Sequence, residues 1–431
     1  MLAYVPAVLS LLILAAHALR FGEMGQVAAW LAVAGLLLVR QAWARRAVQG
    51  VLVAGFFFWL DVAADIARLR LAMGAPWVRM ALIMGAVALV CAAAAWALEG
   101  KKARERAGDG PGWPGALAFF LCLGLVLVAR AKSPVQVLLA DRFWPGWGWL
   151  EALALASYAG WLAHGLLNPA RSARWRLRAW GLFSLVFFGQ LGLGLLGADS
   201  LLMTGRLHLP VPALIVAGPL FRGHGLFMLV LFASTVALVG PAWCSWLCYV
   251  GAWDGWAASG RRPSGPLPRW RWPLRLGLLG LAAASALGLR AMGVAALPAV
   301  WLAAGFGLAG VGVMLFISRR LGVMAHCSAW CPIGPLSNLL GRLNPFRVRM
   351  TPDCTQCGAC SRACRYDALT PRDIAAGRPG LSCTLCGDCV GACQHAAMQY
   401  RFPGLSPAAS RALFLALVAG MHAAFLGVAR I

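Results

Sequence analysis

Residues 353–369 read DCTQCGACSRACRYDAL, and residues 382–398 read SCTLCGDCVGACQHAAM. Cys354, Cys357, Cys360 and Cys364 stand in C-x2-C-x2-C-x3-C spacing, and Cys383, Cys386, Cys389 and Cys393 repeat it. Three thiolates on one tight loop can reach three corners of a cubane. The small residues between them, such as Gly358, Ala359, Gly387 and Gly391, let the backbone wrap closely and aim N–H groups at sulfur. Other uses of cysteine fit less well. Structural zinc takes two Cys pairs separated by a longer loop, and each run here has one cysteine too many for a pair. Disulfides need an oxidising compartment, whereas the charge pattern described below puts this stretch in the cytoplasm. The stretch therefore predicts two [4Fe–4S] clusters.

The spacing resembles that of the bacterial two-cluster ferredoxin, in which the fourth cysteine of each run ligates the other cluster. That resemblance implies Cys354, Cys357, Cys360 and Cys393 around one cluster. Cys383, Cys386, Cys389 and Cys364 would hold the second. The proline usual after the fourth cysteine is absent, with Arg365 and Gln394 in its place; that proline is not a ligand.

Of the 431 residues, 61% are hydrophobic. Soluble domains carry about 45–50% apolar residues, so the composition predicts a membrane protein in contact with lipid. The formal net charge of +24 would suit nucleic acid. The arginines instead lie in short loops between apolar runs, the positive-inside pattern, and no nucleic-acid partner is expected. The chain has 14 cysteines. Outside the two runs and two C-x3-C pairs, only Cys91 and Cys122 remain, both within apolar runs, where packing is the expected role.

About eleven stretches approach the roughly 20 residues needed to cross a bilayer. They lie near 3–19, 25–39, 47–66, 77–98, 115–130, 147–167, 180–198, 224–242, 274–291, 296–318 and 408–428. Arg40, Arg45 and Arg46, then Lys101 to Arg106, Arg171 to Arg178 and Arg261 to Arg275 fall in alternate loops. This puts the N-terminus and the cysteine-rich insert inside and the C-terminus outside. Ala16-His17-Ala18 looks like a signal-peptide cleavage box, but Met1 to Pro6 lacks the basic start such a peptide needs. Asp61 and Asp65 share a helix face near Arg68 and Arg70, and a structural ion pair is expected there in preference to a proton or quinone role. Glu99 to Gly115 reads as a linker, and Asp141 to Trp149 as an aromatic interfacial turn. In Met203 to His224, Pro210, Pro212 and Pro219 are expected to break any helix. This predicts a re-entrant or surface-lying loop bearing Arg206, His208, Arg222 and His224.

Cys244 and Cys248 lie in GPAWCSWLCYVGAWDG, and Cys327 and Cys331 in SRRLGVMAHCSAWCPIGPLSNLL. Each pair follows an apolar span, and a spacing of four places both thiols on one face of a helical turn. At matching depth the four soft ligands suit Cu(I), a further iron–sulfur centre or dithiol chemistry. Arg319 and Arg320 are the expected neighbours that favour thiolate.

C-x3-C after an apolar span, twice, followed by a two-cluster insert, resembles the membrane polyferredoxin family. Its members include the NapH subunit of periplasmic nitrate reduction, the C-terminal half of NosR and the copper-reducing assembly protein CcoG. The resemblance covers roughly residues 180–400. It is complete at Cys327, Cys331 and Pro332, and it departs at Tyr249, where the first motif would have proline. It implies an α-helical polytopic membrane protein with a small cytoplasmic α+β ferredoxin domain. The expected divisions are 1–100, a membrane core at 115–345, the ferredoxin domain at 346–402 and a last helix at 406–431. The expected role is electron transfer at a bacterial cytoplasmic membrane, without a catalytic site of its own. The partner would be a reductase, a cytochrome c or a quinone system. A copper reductase or assembly factor and a redox-sensing regulatory subunit are the alternatives.

Overall fold

The computed structural model describes residues 4–108, 110–201, 209–263 and 266–428. The chain divides into two compact units, one of Met1–His164 with Ala419–Val428, the other built on Gly165–Val418.

Among the described residues, eight helices are long and apolar enough to cross a membrane: Ala42–Ala72, Val78–Ala97, Trp113–Lys132, Pro169–Leu195, Phe227–Leu247, Arg271–Ala291, Ala296–Leu321 and Pro407–Val428. The three further expected spans are also helical, at Val5–Arg20, Met24–Gly35 and Gly148–Leu166, with 16, 12 and 19 residues. Arg271–Ala291 and Ala296–Leu321 are the most telling. Only 11% of each apolar window is buried within the protein. Apolar faces this exposed are compatible with helices surrounded by lipid.

In the first unit the linker from Glu99 folds back onto helix Ala42–Ala72. The Glu99 carboxylate accepts from Arg46, from Arg104 at 2.8 Å and from Gln49 at 3.1 Å. Asp141 organises the aromatic turn: it accepts from Arg130 at 2.6 and 3.1 Å and from the Gly148 N–H at 2.8 Å. Arg130 in turn lies 5.1 Å from the centre of the Trp149 ring. Asp65 pairs with Arg68 at 3.0 Å, both exposed, whereas Arg70 donates to the Pro76 carbonyl rather than to a carboxylate. Cys91 and Cys122 are buried in helix packing.

In the second unit, Leu214–Arg222 is a helix with Pro219 inside it, where the prolines were expected to forbid one. Pro210 and Pro212 precede the helix, and a single missing N–H leaves a nine-residue segment able to form, closed by Gly223 in the left-handed region (φ 75°). Arg222 and His224 are exposed, and Arg206 and His208 lie outside the described residues.

The insert begins and ends on a two-stranded antiparallel ribbon. Strands Arg347–Met350 and Met398–Arg401 pair with Arg347 opposite Arg401 and Met350 opposite Met398. Below the ribbon, Phe346 meets Phe402 and Phe414, with ring centres 4.8 and 5.3 Å apart, and Tyr400 lies 4.9 Å from Phe414. These aromatics fasten the stem of the insert to helix Pro407–Val428, which is 72% buried over its apolar window.

Candidate functional site: three groups of cysteines

The two ferredoxin-like runs have the same backbone. Gln356 and Leu385, each just before the second cysteine, have φ of 54° and 55°. Gly358 and Gly387, just after it, have φ of 71° and 84°, and Asp367 and Ala396, three residues past the fourth cysteine, have 49° and 51°. Non-glycine residues avoid this left-handed region. Four occurrences at equivalent positions mark a loop bent to hold something. Short helices Ala359–Ala363 and Asp388–Ala392 follow the glycines.

The fold crosses the runs over. Cys360 lies within electrostatic reach of Cys354 and of Cys393 from the other run. Cys389 is within reach of Cys386, Cys383 and Cys364. A small cavity lined in part by Cys364, Cys383, Cys386 and Cys389 lies at this second group. The Ala368 N–H donates to Cys364 Sγ at 3.3 Å. Burial pushes the Cys364, Cys383 and Cys386 thiols up to about 12. A bound metal reverses that preference, because coordination deprotonates a thiol outright. The donor set, the cavity and the bent loops therefore fit an iron–sulfur cluster.

The groups differ in exposure. Cys357 is exposed, and the Ala359 N–H, chief among several causes, holds its thiol below the ordinary value. The second group is deeper and faces the C-x3-C pairs.

Those pairs also share one local fold, which is not the α-helical turn that their spacing suggests. Trp243–Leu247 and His326–Trp330 are wide π-type turns. Each is closed by a bond from the second cysteine back five residues: Cys248 N–H to the Trp243 carbonyl at 2.9 Å, and Cys331 N–H to the His326 carbonyl at 2.7 Å. Cys248 and Cys331 then turn extended, with ψ of 107° and 121°, and helices Tyr249–Ser259 and Ile333–Leu340 begin. Single π turns of this kind cluster at functional sites. The two turns converge, since Cys327 is within reach of Cys331, Cys248 and Cys244. Asp254 braces them by accepting the Cys327 N–H at 2.9 Å, and Trp180 donates to the Cys248 carbonyl at 2.8 Å.

Arg319 and Arg320, expected beside these thiols, are exposed. The guanidinium in place there is Arg275, fully buried and within reach of Cys331, Cys244 and Cys327. Spacing cannot find it, because it arrives from helix Arg271–Ala291, far from both motifs in sequence.

The insert is clamped over the paired turns. Tyr366, two residues past Cys364, is buried and donates to the Cys244 carbonyl at 3.1 Å. Ser245 donates to the Thr384 carbonyl at 3.0 Å. Arg176 grips Asp388 with two bonds, at 2.6 and 3.1 Å, and reaches the Ser245 carbonyl at 3.3 Å. Arg271 pairs with Asp367 at 2.7 Å. Arg365 fills the place of the missing proline usefully: it donates to the carbonyls of Ala258 at 2.9 Å and Gly322 at 2.7 Å. Gly391 packs so closely on Pro169 that a Cβ would stand 2.5 Å from the Pro169 carbonyl oxygen.

A family model described as a 4Fe-4S binding domain matches residues 221–275 and 303–351. The matched segments hold Cys244, Cys248, Cys327 and Cys331 and end before Cys354. No curated protein and no solved structure matches the chain. The matched domain and the eight apolar helices fit a membrane iron–sulfur protein.

Proposed function

We propose that the protein is an electron-transfer subunit of a bacterial cytoplasmic membrane, with the insert on the cytoplasmic side. In this reading Cys354, Cys357, Cys360 and Cys393 hold one [4Fe–4S] cluster, and Cys364, Cys383, Cys386 and Cys389 hold a second. Cys244, Cys248, Cys327 and Cys331 hold a third iron–sulfur centre. Such clusters, when bound, supply one-electron transfer. The chain's own residues set the order of the three sites. The observation that carries the reading is the direct link between the second and third groups, through Tyr366 to the Cys244 carbonyl and Ser245 to the Thr384 carbonyl.

The exposed edge at Cys357 is where a soluble donor or acceptor would approach. The third group lies at the end of the apolar helix Phe227–Leu247, the side on which a quinone or a membrane-bound partner would exchange electrons. A cluster at the paired turns is favoured over a single copper ion by ligand number: the four cysteines supply one thiolate for each corner of a cubane, and the matched family segments that hold them are described as a 4Fe-4S binding domain.

The test is iron and labile sulfide in anaerobically purified protein. About twelve iron atoms per chain are expected, four for each of three clusters, and Cys331→Ala should lose about a third of them while the insert clusters stay. Iron that is unchanged in Cys331→Ala would leave the paired turns without a cluster. Zinc without labile sulfide would end the reading altogether.

A further inference from the structure

Arg275 is a buried cation without a carboxylate. Its side chain is among the largest fully buried in the protein, at 2% exposure. Its Nε and Nη1 have no hydrogen-bond partner. Among the described residues it makes no ion pair. Its surroundings are the thiols of Cys331, Cys244 and Cys327, the like charge of Arg271, and the Trp272 ring at 4.9 Å. The site is built around it. A Cβ at Gly334 would stand 1.8 Å from Arg275 Nη2 and 3.2 Å from the Cys327 carbonyl oxygen. The glycine at the start of helix Ile333–Leu340 leaves room for the guanidinium in this position beside the second motif.

Burying an ion away from water costs several kcal/mol unless an opposite charge meets it. The Trp272 face offsets only part of that cost. The anionic partners within reach are the cysteines themselves, once ionised. Four thiolates around an iron–sulfur core leave the whole centre anionic, and one-electron reduction adds one further negative charge with no bond broken. A fixed guanidinium against the sulfurs stabilises both states, and the reduced state more.

We infer that Arg275 is the resident counter-ion of the centre held by Cys244, Cys248, Cys327 and Cys331, and that it raises the reduction potential of that centre. This rests on the reading that the four cysteines hold a cluster. Arg275 acts through the thiolates as a positioning residue. The consequence is directional: the innermost centre attracts electrons relative to one without the arginine, which favours its filling from the insert.

The experiment uses full-length protein purified anaerobically in detergent, with iron counting and a potentiometric titration followed by low-temperature electron paramagnetic resonance. Cys331→Ala identifies the signal of the third centre. If no signal and no iron are lost in that variant, the cluster reading fails and Arg275 has no centre to serve. With the signal assigned, Arg275→Gln is expected to lower its midpoint by at least a tenfold change in the oxidised-to-reduced ratio, about 59 mV for one electron. Arg275→Lys, which keeps the charge, should recover most of that shift, and the insert signals should not move in either variant. Loss of the third centre's iron in Arg275→Gln but not in Arg275→Lys supports the same role during assembly. An unchanged midpoint with full iron in Arg275→Gln overturns the inference. So does equal loss of the centre in both variants, because shape and not charge would then be what matters.

Discussion

Arg176→Met tests how the insert is held over the paired turns. Arg176 is 2% exposed, and the Asp388 side chain opposite it 12%. The substitution keeps an apolar stem of similar reach but removes both bonds to Asp388, the bond to the Ser245 carbonyl and the stacking at 5.4 Å over Trp180. Removing one partner of a buried pair costs about 3–5 kcal/mol, because the survivor stays buried and uncompensated. Here the survivor is a carboxylate next to Cys389 in the chain. At about 1.4 kcal/mol per tenfold, opening of the insert should rise by roughly a hundredfold or more. The measurement is amide hydrogen exchange of residues 382–393 in the metal-loaded protein, where faster exchange should be confined to that segment. Arg178→Met is the control: Arg178 is exposed, and its effect should stay within about 0.5 kcal/mol. Asp388→Asn added to Arg176→Met should recover part of the loss, since no charge is then stranded. Exchange in Arg176→Met that matches the parent would refute the docking argument.

Tyr366→Phe leaves the Cys244 carbonyl without its donor, a loss of about 1–3 kcal/mol. Electron transfer between the insert signals and the third centre should slow in freeze-quench spectra, with iron content unchanged. Gly387→Ala adds left-handed strain at φ 84° and a Cβ 2.7 Å from Tyr400 Oη. It should lower the temperature at which the cluster absorbance bleaches far more than Gly377→Ala, where φ is 68° and the space is open. Gly334→Ala should displace Arg275 and reproduce the midpoint shift of Arg275→Gln. Ala376→Cys, at an exposed turn of the insert, should resist an impermeant thiol reagent in intact cells and react after lysis; labelling in intact cells would invert the proposed topology.

Much of this protein is legible without coordinates. Apolar runs of bilayer length must become helices, because lipid offers no partner for an unpaired backbone group. Helices lie in the described parts of the expected runs, eight of them long and apolar enough to cross a membrane, and the two cysteine runs, which share one spacing, are bent alike. Other features depend on what comes together in space. The helix at Leu214–Arg222 forms despite Pro219, since one missing hydrogen bond is a local cost and packing is a collective gain. The C-x3-C spacing suggests an α-turn, but both segments widen into π-type turns that end with the second cysteine in extended backbone. Arg319 and Arg320 are neighbours of Cys327 in sequence and lie exposed, while Arg275 reaches the thiols from another helix. The contacts of Tyr366, Arg176 and Ser245 carry no signal in the sequence. They matter because tertiary packing lays the insert on the paired turns, and the short range of hydrogen bonds and ion pairs makes that placement the deciding fact.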